Sequence, residues 1–138
     1  TLLYRRSGLL GLSGETSDMR ALLESGSDDA RLALDCFVYR AAQEIARMVA
    51  ALEGLDALIF TGGIGEHAAE IRRRICARLS WLGVSLDEEA NTAHRRRISA
   101  GESKVGVFIV PADEESIIAE YTLALAEKAR ARSSGAVA

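Results

Sequence analysis

The longest apolar pattern in the chain is helical. Leu34, Phe37, Val38, Ala41, Ile45, Met48, Val49 and Leu52 return every three or four residues and build one wide stripe. Ser27 stands in front of it as a cap, Asp28 and Asp29 occupy a first turn whose positive dipole end favours carboxylates, and Gly54 fits just past the end. The stripe is core in the simplest reading, and part of it suits a dimer face equally well. Upstream, Ser17-Asp18-Met19-Arg20 opens a shorter helix, with Thr16 or Ser17 as its cap, Leu22 and Leu23 on its apolar side and Gly26 at its end. The glycine- and serine-punctuated "SGLLGLSG" from Ser7 to Gly14 predicts an irregular segment with buried leucines.

After the long helix the pattern changes. Ala57 to Phe60 is apolar without alternation, which predicts a short strand covered on both faces. A helix is expected to start near Glu66 to Ala68, with Ile71, Ile75, Leu79 and Leu82 on one side and Gly83 as its stop. "VSLDEEAN" predicts an extended piece followed by one helical turn. Arg97 to Ser99 and Val105 to Val110 predict two strands around the turn "AGES", the second of them central. Pro111 closes that strand, and Asp113-Glu114-Glu115 begins a last helix carrying Ile117, Ile118, Tyr121 and Leu125. The order of helices and strands is that of an α/β domain with parallel crossover connections.

Composition refines this only slightly. The 138 residues are 49% hydrophobic and 27% charged, an ordinary globular balance and enough chain for one domain's core. A net charge of −3 gives no overall attraction to nucleic acid or to an anionic membrane. Basic clusters at Arg72 to Arg74 and Arg95 to Arg97 are balanced by acids and lack interleaved aromatic residues. No apolar run reaches the roughly 18 residues of a membrane span. Cys36 and Cys76 have no CxxC spacing, and neither His67 nor His94 has a partner at ligand spacing, so reduced thiols in a cytoplasmic protein are expected rather than a Cys/His metal site. A start at Thr1 in "TLLYRRSGLLGLSG" reads as a piece of a longer protein, and the composition from about Lys128 onward, "ARARSSGAVA", reads as a tail.

Three places carry candidate chemistry. "LIFTGGIGEH" runs a strand into Gly62, Gly63 and Gly65 and then into a helix, at the carboxyl end of a strand, where open α/β sheets collect ligands. The glycines either make a tight turn or bring backbone and free helix N–H groups to a nucleotide. The spacing is neither GxGxxG nor a P-loop. Asp113, Glu114 and Glu115 follow the other strand, where carboxylates either favour a helix start or hold Mg²⁺. Asp18 with Arg20 is either a surface ion pair or a contact to ribose, base or phosphate.

Taken together, "SGLLGLSGETSDMR", "LALDCFVYR", "IFTGGIGEHAAEIRRRICARLSWLGVSLDEEAN" and "VFIVPADEESIIAEYT" resemble the carboxyl-terminal domain of acetate kinases, over nearly the whole chain and in the family's order. The resemblance implies a ribonuclease H-like α/β fold of the actin, sugar kinase and Hsp70 ATPase type, here as an incomplete fragment with a mixed sheet flanked by helices. Residues 1–128 would be part of the nucleotide-binding domain, and residues 129–138 the tail. It implies reversible transfer of the ATP γ-phosphoryl to acetate, with Mg²⁺ and ATP/ADP, in a homodimer paired through the long-helix region. Asp18, Met19 and Arg20 would contribute to the nucleotide pocket; Gly63, Ile64, Gly65, Glu66 and His67 would wrap the adenosine; Glu114 would be the Mg²⁺-associated glutamate. His67 stands where the family typically has Asn, and Ala112 where many relatives have Thr. The family's catalytic and phosphate-binding residues of the amino-terminal half are not in this sequence, so the piece alone is expected to be inactive. Propionate preference, and a non-catalytic dimerisation or scaffold module, are the competing readings.

Overall fold

The computed structural model describes residues 7–113, 116, 118, 119 and 121–126. Three helices come first: α1 (Gly8–Ser13), α2 (Met19–Glu24) and the long α3 (Asp28–Leu52). They lead into β1 (Ala57–Phe60), α4 (Gly62–His67) and α5 (Ala69–Arg78), a 3-10 turn at Ser80–Leu82, α6 (Glu88–Thr92) and β2 (Gly106–Ile109). β1 and β2 pair in parallel, with Ala57 opposite Gly106 and Phe60 opposite Ile109, so the intervening helices form the expected crossover.

Local chemistry explains most element ends. Ser27 Oγ accepts from Ala30 N at 3.0 Å and starts α3 as anticipated. Asp18, rather than Thr16 or Ser17, caps α2: its Oδ1 accepts from Ala21 N at 3.0 Å. Thr16 Oγ1 instead accepts from Asp18 N, and the buried Ser13 hydroxyl bonds to Thr16 O and to the amides of Glu15 and Thr16. The segment expected to be irregular is therefore helix α1 followed by a turn folded around Ser13, and Leu12 remains exposed. α3 ends on Glu53, which takes the left-handed conformation (φ 59°) expected of Gly54. Gly83, at φ 86°, does adopt that conformation after the 3-10 turn, which takes up Leu82 in place of further α-helix.

Among the described residues the core is one cluster in which helices pack against the sheet. Leu22 of α2, Leu34 and Val38 of α3, Ile71 and Ile75 of α5, and Phe60, Ile98, Val107 and Ile109 form one cluster. Burial on α3 is concentrated in its first half, at Ala30, Ala33, Leu34, Val38 and Ala42, while Met48 and Leu52 are exposed. β1 is not covered on both faces among the described residues: Phe60 is buried, but Ile59 is 57% exposed. Arg97 and Ser99 contribute isolated antiparallel bridges to Phe108 and Leu86 rather than a full strand. β2 thus has a partner on each side, which is what its apolar content anticipated. Asp113 Oδ1 accepts from Ser116 N, at the start of the helical residues that follow β2.

Candidate nucleotide site

The three glycines after β1 do three different things. Gly62 has φ 69°, a conformation that side chains rarely adopt, and turns the chain out of the strand. A Cβ on Gly65 would lie 3.1 Å from the Phe60 carbonyl carbon, so this glycine lets the new helix sit directly on the strand end. A Cβ on Gly63 would meet nothing within 4 Å. Gly63 therefore opens space rather than satisfying a local constraint. Helix α4 begins at Gly62 itself, earlier than the expected start near Glu66, and breaks at Ala68 (φ −100°, ψ 78°) before α5.

Gly63 faces a cavity of about 690 Å³ between α2 and the β1–α4 turn. Its walls are Ser17, Asp18, Met19, Arg20, Leu23 and Glu24 on one side and Gly63, Ile64, His67, Ala68 and Ala69 on the other. That volume is ordinary for a small-molecule site. Of the residues singled out from sequence, Asp18, Met19, Arg20, Gly63, Ile64 and His67 meet around this one cavity. Met19 is buried, while Arg20 and His67 are exposed. Asp18 commits one carboxylate oxygen to the α2 cap. Ser17, Leu23 and Glu24 join the wall without any sequence signal beyond their neighbourhood to Asp18.

Gly65 and Glu66 do not line the cavity. The Glu66 carboxylate turns away from it, and its Oε1 accepts from Ala112 N at 2.9 Å. The Glu66 carbonyl accepts from Arg72 Nη1 at 2.9 Å and lies 2.9 Å from His94 Nδ1. A carbonyl only accepts, so Nδ1 carries the proton in this contact, and the 3.3 Å approach of Arg72 Nη2 to the same nitrogen is packing rather than a hydrogen bond.

Arg72 is the residue that sequence reasoning missed. It belongs to a basic triplet that reads as a balanced surface cluster, yet it is 0% exposed. It shares the inward face of α5 with Ile71, Ile75 and Cys76. Its Nη1 donates to Gly65 O and Glu66 O, its Nε to Asn91 Oδ1 at 2.7 Å and its Nη2 to Asn91 O at 2.8 Å. No carboxylate pairs with it among the described residues; backbone and amide oxygens solvate it instead. Burial pushes its pKa below the ordinary arginine value, opposed by the neighbouring Cys76. The same burial raises the Cys76 thiol to about 12, so this cysteine is an inert core group. The other two arginines of the triplet behave as anticipated: Arg73 and Arg74 bond to Glu70, and Arg73 chiefly holds that carboxyl down at about 2.

Glu114, the residue singled out for Mg²⁺, lies outside the described residues, as does the tail from residue 127. Among the described residues no cluster of three His, Cys, Asp or Glu groups is placed to hold a metal, and no helix is long and apolar enough to cross a membrane.

Comparison with known proteins gives a consistent answer. The sequence model of the Acetokinase family matches residues 1–120. An acetate kinase of Rickettsia prowazekii is 55% identical over 122 residues, covering 88% of this chain and 32% of the relative. The crystal structure of Porphyromonas gingivalis acetate kinase superposes with a TM-score of 0.79 at 37% identity, over 89% of this chain and 32% of that one. A propionate kinase structure from Francisella tularensis gives 0.77 at 37% identity, over 83% of this chain and 30% of that one. The chain thus spans about a third of the length of these proteins and has the fold of the corresponding part.

Proposed function

The chain belongs to the acetokinase family, and on that premise we propose that the whole protein transfers the γ-phosphoryl group of ATP to acetate. The bond from the γ-phosphorus to the β–γ bridging oxygen breaks, a carboxylate oxygen takes its place, and acetyl phosphate and ADP result. Within that reaction this chain supplies the nucleoside end of the ATP/ADP site. The observation that carries the reading is the cavity in which Asp18, Met19 and Arg20 face Gly63, Ile64 and His67, with Gly63 leaving open the space a side chain would take. Ile64, Met19 and Leu23 offer apolar surface to a base. Arg20 and His67 make no hydrogen bond or ion pair among the described residues and are available to ribose or phosphate oxygens. His67 brings one donor and one acceptor on a ring, where an amide would bring them on one planar group.

Mg²⁺ is the expected companion of the nucleotide, and when bound it neutralises phosphate charge. It needs only one or two protein carboxylates, the rest of its shell being water and phosphate. Glu114 is the carboxylate we assign to it; Asp113, beside it, is exposed at the carboxyl end of β2, and one of its oxygens is engaged by Ser116 N. Phosphoryl transfer depends on positioning and on cations facing the transferred group. The described residues place no such group of cations at the cavity, so the chain alone is expected to bind nucleotide weakly and to turn over nothing. Leu32, Tyr39, Met48 and Leu52 are exposed along α3 and suit a homodimer contact in the cytoplasmic enzyme.

The test is a full-length protein incubated with Mg-ATP and acetate, with acetyl phosphate trapped as its hydroxamate. Product formation that is lost on filling the cavity with Gly63→Leu supports the reading. A protein that binds no ADP and phosphorylates no short carboxylate overturns it. Propionate is the second reading, because the propionate kinase structure matches at the same 37% identity as the acetate kinase structure and with a similar TM-score; running both acids in parallel separates them. A scaffold role without nucleotide affinity predicts a dimeric mass and no heat on titration with Mg-ADP.

A further inference from the structure

The carboxyl ends of β1 and β2 are tied together twice. Val110 N donates to Phe60 O at 2.9 Å, as the last rung of the parallel ladder. Pro111 has no N–H and interrupts the ladder. One residue later Ala112 N donates to the Glu66 carboxylate at 2.9 Å. Among the described residues no strand continues the sheet there, so the side chain does the work a neighbouring strand would do. Glu66 is itself fixed from behind, since its carbonyl accepts from Arg72 Nη1 and from His94 Nδ1.

We propose that Glu66 is a positioning residue: its carboxylate straps the segment leaving β2 to the glycine turn, and so sets the spacing between the nucleoside cavity and the acidic stretch that begins at Asp113. The proposal deepens the reading of the preceding subsection and departs from the sequence expectation that Glu66 touches the adenosine. It rests on geometry. Glu66 is absent from the cavity wall, while Gly63, Ile64 and His67 on the same turn are present. Its backbone is held by a fully buried cation, so the carboxylate has a fixed anchor from which to reach Ala112. The strap needs an acceptor at this position but no negative charge.

That last point gives the experiment. In the full-length protein, Glu66→Gln keeps an oxygen that accepts from Ala112 N, and Glu66→Ala does not. Amide hydrogen exchange at Ala112, followed in a peptide that begins upstream of Phe108, reads the strap directly, whatever the protein's activity. Loss of one hydrogen bond to a charged group predicts about a tenfold or larger acceleration in Glu66→Ala. Glu66→Gln should accelerate exchange by only about threefold, since a neutral acceptor keeps about half the strength of a charge-assisted bond. In the kinase assay, kcat should fall about five- to tenfold in Glu66→Ala, while the affinity for adenosine alone changes less than about twofold. Unchanged exchange in Glu66→Ala overturns the proposal. So does a Glu66→Gln variant that behaves like Glu66→Ala, because the charge would then matter through direct contact with the ligand. If the parent protein neither binds ADP nor phosphorylates acetate, the kinase reading fails, and the exchange comparison still decides the strap.

Discussion

Replacing Arg72 with methionine tests the organisation of the site more sharply than any change in the cavity wall. Methionine has similar length and adds no polar group, so little cavity is created. The consequence lies in the acceptors left behind. Asn91 O keeps a bond from His94 N at 3.1 Å, and Glu66 O keeps His94 Nδ1. Asn91 Oδ1 and Gly65 O each lose the donor that Arg72 supplies. A buried acceptor left without a partner costs about 1–3 kcal/mol; Asn91 Oδ1 incurs this in full and the partly buried Gly65 O only part of it, about 2–5 kcal/mol together. Removing a cation that is buried without a carboxylate returns part of that. A net destabilisation of about 3 kcal/mol is therefore expected. Arg72→Lys should lose about 2 kcal/mol although it keeps the charge, because one ammonium cannot span the planar fork of acceptors. Urea unfolding followed by circular dichroism measures both, with a shifted midpoint and an unchanged slope. A double-mutant cycle with Asn91→Ala should return a coupling of about 1–2 kcal/mol. An Arg72→Met protein within about 0.5 kcal/mol of the parent, or additive single changes, would show that the network contributes nothing and refute the reasoning.

Two further predictions concern the glycines and the thiols. Gly65→Ala forces a Cβ to 3.1 Å from the Phe60 backbone and should destabilise by about 1–3 kcal/mol. Gly63→Ala meets no atom within 4 Å and should be neutral or slightly stabilising within its helix, while weakening ADP binding. Thermal melts and an ADP titration check the pair, and the opposite order of stabilities would contradict the roles assigned here. Cys76, with its thiol raised to about 12 by burial, should resist iodoacetamide in the native protein at pH 8.5, while the less buried Cys36 reacts. In the unfolded chain the thiol ionises near its ordinary value, and in the folded chain it keeps its proton. The unfolded state therefore binds fewer protons at alkaline pH, and stability falls as pH rises from about 9 towards 12, by up to about 1.4 kcal/mol per unit from this group. Cys76→Ala should flatten that slope; an unaltered slope would assign it to other groups.

The course of the chain was legible wherever one residue decides a local event. Ser27 caps α3 because a hydroxyl ahead of a helix meets an orphan amide whatever surrounds it. The long α3, the crossover from β1 to β2 and the central place of β2 follow from apolar spacing, whereas α1, the separate α4 and the reduction of Arg97 to Ser99 to isolated bridges do not. The likeness of whole segments to acetate kinases brought Asp18, Met19, Arg20, Gly63, Ile64 and His67 together before any coordinates did.

Tertiary structure decided what distance along the chain conceals. Three arginines in a row look alike in the sequence, yet only Arg72 turns inward, because α5 lays its 71, 72, 75 and 76 face on the core. Its acceptors come from residues 65, 66 and 91, and no local rule joins them. Glu66 reads as an acid in a helix beside a ligand, and becomes a strap only because β2, pairing beside β1, brings Ala112, 46 residues later, to its carboxylate. Local chemistry depends on neighbours within a turn or two, so the sequence carries it explicitly. Which buried group meets which acceptor depends on how the layers close, and that is settled by packing the whole core at once.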